Sequence, residues 1–129
     1  MVEKLKKILD ILNKNNKAVW LFAFLKIDEF IDKWSLVISA PWVNDSNRNT
    51  EFQYMLGIVK ENMNPEELSS IGRIVFLSKD DHLIKELLKK KSGDEIKEEK
   101  INGNIIHEGQ ILESNAGLVW QENQTLPLK

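Results

Sequence analysis

Residues 17–43, KAVWLFAFLKIDEFIDKWSLVISAPWV, constrain the fold more than any other stretch of this 129-residue chain. They hold three of its four tryptophans and two apolar runs. Side chains of this kind gain most from leaving water, so the seam of the core must lie here. Ala18 to Leu25 reads as a central strand covered on both sides, because large apolar residues fill consecutive rather than alternate positions. A buried helix would hold the same residues, and periodicity does not separate the two. Trp34 to Ala40 reads as a second strand, ended by Pro41, which has no N–H to give to a ladder. Asp28 to Lys33 between them is expected to form one helical turn.

The rest of the chain alternates helix and strand signals. Val2 to Leu12 places apolar residues at 2, 5, 8, 9 and 12 with lysines between them, which makes one stripe on a helix. Asn44 to Asn49 is a loop by composition. Thr50 and Gln53 suggest a capping box, opening a helix that ends near Asn62. Asn64-Pro65-Glu66-Glu67 repeats the start signal, with a cap, a first-turn proline and carboxylates near the positive helix end. Arg73 to Leu77 is a third strand. Ser78 with Asp81 opens a helix carrying Leu83, Ile84, Leu87 and Leu88. Asp94 to Lys100 is nearly all charge and reads as a solvated excursion. Asn102-Gly103 signals a type I′ turn. Asn104 to Glu113 and Gly117 to Gln121 are expected to close the sheet as two strands.

The order is therefore α-β-β-α-α-β-α-β-β. It describes an α+β domain with a mixed sheet of four to five strands packed by three to four helices. The domain is expected to span 1–121, with a loosely ordered tail at 122–129.

Composition narrows the function classes. A formal charge of −2 and a pI near 5.7 provide no general positive field for phosphates, which argues against nucleic acid as a partner. The basic residues are nearly all lysines, and Arg48 and Arg73 are the two arginines. With no cysteine, disulfides, thiol catalysis and thiolate zinc sites are excluded, and a reducing cytoplasm is the expected location. The longest uncharged apolar run, Ala18 to Leu25, falls far short of the ~20 residues that span a bilayer. No glycine-rich phosphate loop, G-x-S-x-G elbow or H-E-x-x-H helix is present, so no cofactor is expected.

Four places carry residues with chemical potential. Asp80, Asp81 and His82 follow the third strand, and ligands of open α/β sheets gather at such carboxyl ends. Two carboxylates beside a histidine suit a divalent metal or acid–base work, although Ser and Asp in a first helical turn are also ordinary caps. His107 would complete a metal set with Asp81 and His82 if the fold joined them. Glu95-Ile96-Lys97 matches the E-x-K half of a nuclease-like metal site. Ser39, Pro41 and Trp42 end the second strand, where an exposed indole would line a pocket or anchor an interface.

Taken together, these residues favour a non-catalytic protein-interaction module, self-associating as a homodimer or docking another protein through a free strand edge. A metal-assisted hydrolase or nuclease using Asp80, Asp81 and His82 is the alternative. A small-molecule sensor with a pocket near Trp42 is the third reading.

Overall fold

The computed structural model describes residues 1–27, 33–101 and 103–120. Its elements are α1 (Val2–Lys14), β1 (Leu21–Ile27), β2 (Trp34–Ser39), α2 (Arg48–Asn62), α3 (Pro65–Ser70), β3 (Ile71–Phe76), α4 (His82–Leu87), β4 (Glu95–Ile101) and β5 (Asn104–Ser114). The five strands form one sheet in the order β3-β2-β1-β5-β4. β2 and β3 run parallel, and every other neighbouring pair is antiparallel. The fold is mixed α+β, with four helices among the described residues and the element order read from the sequence.

β1 sits at the centre, and its side chains divide between two cores. Phe22 and Phe24 join Leu5, Ile8 and Leu12 of α1, Met55 and Val59 of α2, and Trp42 on one face. Leu21, Ala23 and Leu25 join Leu83, Ile84 and Leu87 of α4 on the other. Successive strand residues point to opposite faces, so the unbroken apolar run of β1 feeds both layers at once. Leu5, Ile8 and Leu12 are fully buried along one stripe of α1. Each such side chain contributes about 1.5–3 kcal/mol relative to exposure.

Asn64 and Glu67 close the capping box that opens α3, with Glu67 N–H donating to Asn64 Oδ1 at 2.8 Å and Asn64 N–H to Glu67 Oε1 at 2.9 Å. Thr50 and Gln53 form no such box, because α2 starts earlier, at Arg48. The residue before it, Asn47, spends its side chain on the preceding turn: Nδ2 donates to the Trp42 carbonyl, and Oδ1 accepts from Asn44 N–H.

Two further expectations are corrected at the end of the chain. The charged run from Asp94 is not an excursion but contains β4, paired along β5. Ile96 and Ile101, 1% and 5% exposed, draw that run into the sheet while its charges face water. Gly117 to Trp120 is not a strand. Side chains pin that segment: Trp20 Nε1–H donates to Leu118 O at 3.1 Å, and Trp120 Nε1–H to Asn16 O at 2.7 Å. Residues 28–32 of the helical turn expected from Asp28 to Lys33, Asn102 of the expected turn, Gln121 and the 122–129 tail lie outside the described residues.

Candidate functional site

The parallel pair β2/β3 brings two of the four sequence candidates to one end of the sheet. A cleft of about 470 Å³ lies past their carboxyl ends, lined by Trp20, Pro41, Asp45, Arg48, Lys79 and Asp80 among others. Lys79 Nζ donates to Ala116 O at 2.8 Å and sits 4.9 Å over the Trp20 ring. Arg48 donates to Phe76 O at 2.7 Å and lies 3.6 Å from Asp45. Two cations and two carboxylates thus share the cleft, and its formal charge balances.

Trp42 is not part of this surface. It is 3% exposed, its Nε1–H donates to Ala18 O at 2.9 Å, and its ring meets Phe76 edge-on at 5.9 Å. Lys17 covers it at 4.6 Å. Indoles bury well when the one N–H finds an acceptor, and Ala18, three residues before β1, supplies it. Ser39 is likewise fully buried, and among the described residues its hydroxyl is the one buried side-chain oxygen without a hydrogen-bond partner. Of the expected binding surface, half-buried Pro41 alone borders the cleft.

The acid–histidine candidates do not assemble. Asp81 caps α4, its Oδ1 accepting from Leu83 N–H at 2.9 Å. Asp80 and His82 are exposed. His107 instead faces Glu98 across β4 and β5, with Nδ1 3.0 Å from the carboxylate. Glu95 and Lys97 flank buried Ile96 on β4, and Lys97 lies opposite Glu108 on β5. No group of three or more histidines, aspartates or glutamates among the described residues is placed to hold a metal ion. Asp81 is engaged in capping α4, and His107 is held on a different element by Glu98.

The two sheet edges differ sharply in chemistry. β4 carries Glu95, Lys97, Glu98, Glu99 and Lys100, and Glu98 takes φ 46°, which interrupts extended backbone. Charge and local distortion are the ordinary defences of an edge strand. β3 reads IGRIVF, with Arg73 as its one charged residue. Its pairing with β2 skips from Ile71 to Arg73, leaving a regular run from Arg73 onward. Leu77 N–H donates to Ile38 O on β2, so by alternation Val75 also faces β2 while Ile74 and Phe76 present their backbone groups outward. Arg48 confirms the direction by capping the outward Phe76 carbonyl from α2.

Beside this edge run two shallow apolar depressions, of about 190 and 510 Å³, where Phe52 and Leu56 of α2 border Ile74. Arg73 lies on the opposite face, its Nε–H donating to Ser35 Oγ at 3.0 Å. The sequence reading named neither Phe52 nor Ile74 as a site residue.

No protein-family model, curated protein or solved structure matches this chain.

Proposed function

We propose that this chain is a non-catalytic interaction module that accepts an extended polypeptide segment along the outer edge of β3. The observation that carries the reading is the contrast between its edges: β4 is charged and distorted, whereas β3 is apolar and flanked by an apolar groove. Strand addition uses backbone bonds for affinity and side-chain pockets for selection. The Ile74 N–H and C=O and the Phe76 N–H supply the former, and Phe52 and Leu56 the latter. The absence of cysteine favours a cytoplasmic setting for the encounter.

Selection of a displayed random peptide library on the folded chain, counter-screened on Ile74→Pro, tests the proposal. Proline removes an outward N–H but leaves the bonds to β2 in place. Peptides that bind the parent and weaken at least tenfold on a cooperatively folding Ile74→Pro variant support strand addition. Peptides that bind both forms equally would place the interaction elsewhere.

The cleft at the carboxyl ends of β2 and β3 supports a second reading, a small-molecule site, because half-buried Trp20 and Lys79 meet there in the position that open α/β sheets use for ligands. Quenching of Trp20 fluorescence across a metabolite panel, compared with Trp20→Phe, tests it; no Trp20-dependent change with any member would remove it.

A further inference from the structure

We infer that Trp42, Tyr54 and Glu51 form a recognition cage for a primary ammonium group, and that Lys17 of the same chain holds the cage shut as an exchangeable occupant. The cage shares no residue with the β3 edge, so strand addition stands or falls separately.

Lys17 Nζ lies 4.6 Å from the Trp42 ring centroid and 4.9 Å from that of Tyr54. It also donates to both carboxylate oxygens of Glu51, at 2.9 and 3.0 Å. Two ring faces and a carboxylate around one cation are the elements with which proteins recognise ammonium ligands, because the ring quadrupoles and the anion attract the same charge. Here the cation comes from the chain itself. The frame of the cage does not depend on it. Tyr54 Oη accepts from Asn15 Nδ2 at 2.8 Å, and Trp42 Nε1–H donates to Ala18 O at 2.9 Å, so residues on either side of Lys17 orient both rings. Trp42 also rests edge-on against Phe76. Glu51 lies in the first turn of α2, where the positive helix end favours its charge with or without Lys17.

The occupant can leave without opening the core. Lys17 N–H donates to Leu12 O, which fixes its backbone, but the four-carbon stem is flexible. The Lys17 side chain is 23% exposed and that of Glu51 13%, so the lysine stands on the solvent side of the carboxylate. An incoming primary amine regains each contact that Lys17 gives up. What it must overcome is the advantage of a competitor tethered beside the site. The two hydrogen bonds to Glu51 set the ligand class. A primary ammonium has the N–H donors to keep them, whereas a quaternary ammonium retains the attraction to the rings and has no N–H to give.

The experiment is a titration of the full isotope-labelled chain with methylammonium, tetramethylammonium and sodium chlorides at matched ionic strength. NMR follows the Trp42 indole N–H and the Glu51 amide. Methylammonium should shift both saturably, and tetramethylammonium at least about tenfold more weakly, since it forfeits two charge-assisted hydrogen bonds. Lys17→Ala vacates the cage and should bind methylammonium at least about tenfold more tightly than the parent, because the tethered competitor is gone. If that variant does not fold, Lys17→Gln, which keeps most of the stem but not the charge, carries the same expectation. Adding Glu51→Gln should remove the gain; a gain that survives it would place the binding elsewhere and overturn the cage. A further probe, Nα-acetyl-lysine amide, separates two sources of the ammonium. Tighter binding than methylammonium assigns a lysine side chain of a partner, and equal or weaker binding assigns a free amine. No saturable shift in either chain, or the same shift from sodium chloride, would overturn the cage. A shift confined to the Lys17 variant would make Lys17 a fixed structural ion and overturn the exchange. Equal binding of tetramethylammonium and methylammonium would overturn the primary-ammonium assignment.

Discussion

Replacing Trp42 separates a core indole from a surface anchor, because the two roles differ in stability by several kcal/mol. At 3% exposure the side chain is almost wholly removed from water. An indole buries about 150–250 Å², which at about 25 cal/mol per Å² corresponds to about 4–6 kcal/mol of transfer free energy. Trp42→Ala leaves a cavity between Phe76 and the Lys17 stem and strands the Ala18 carbonyl, so a loss of about 3–5 kcal/mol is expected. Trp42→Phe keeps the edge contact with Phe76 but gives up the hydrogen bond, worth about 1 kcal/mol, and part of the ring area. A loss of about 1–2 kcal/mol is expected for it. Urea unfolding followed by far-UV circular dichroism measures both, and the alanine variant should move the midpoint down by about 2 M. Fluorescence is a poor substitute, since one of the four indole probes is itself removed. If Trp42→Ala loses less than about 1 kcal/mol, the indole lies outside the core and the surface role read from the sequence returns.

Other perturbations have outcomes set by single contacts. A Cβ at Gly109 would sit 2.7 Å from Leu25 Cδ2 and 3.4 Å from Ile96 Cβ, so Gly109→Ala should cost about 1–3 kcal/mol, and Leu25→Val should restore part of it; additive losses would refute the clash. Asp81→Ala should cost about 1 kcal/mol through the lost cap of α4, with Asp81→Asn close to the parent. Mg²⁺, Mn²⁺ and Zn²⁺ should leave the parent's melting temperature unchanged; a metal-induced rise that vanishes in Asp81→Ala would reinstate the metal reading. The hydrogen bond from Lys4, and then that from the Asn64 backbone N–H, hold the Glu67 carboxyl below its ordinary pKa. Its folded-state pKa is depressed, so its stabilisation is fully present at neutral pH and is lost as pH falls through the acidic range below the ordinary value. Glu67→Gln should therefore show a shallower loss of stability than the parent between about pH 5 and about pH 3; identical slopes would mean that the Lys4 pair does not persist in solution.

The central strand was legible because β1 carries its evidence locally: seven consecutive residues, six of them buried, facing two cores. The cap at Asn64 was legible for the same reason, since its partner is three residues away. β4 was not, because five of its seven residues are charged and its membership depends on Ile96 and Ile101 finding β5. Trp120 misled in the opposite sense: its apolar neighbours suggest a strand, but an indole N–H bond to Asn16, far along the chain, holds the segment. Trp42 depended on Ala18 in the same way. The candidate edge was least visible of all. β3 is an edge because it pairs in parallel with β2 alone, and that pairing is a property of sheet order that local patterning does not encode. Arg48 and Arg73 could be read only as a shortage of arginine until the fold set both along one strand.

Amide hydrogen exchange along β3 in the free, dilute chain tests the open edge most directly. Val75 and Leu77 should exchange slowly, since their N–H groups face β2, while Ile74 and Phe76 should exchange at least about a hundredfold faster, since theirs face outward. Equal protection of all four amides would mean that the edge is already covered, and β3 would not be the docking strand.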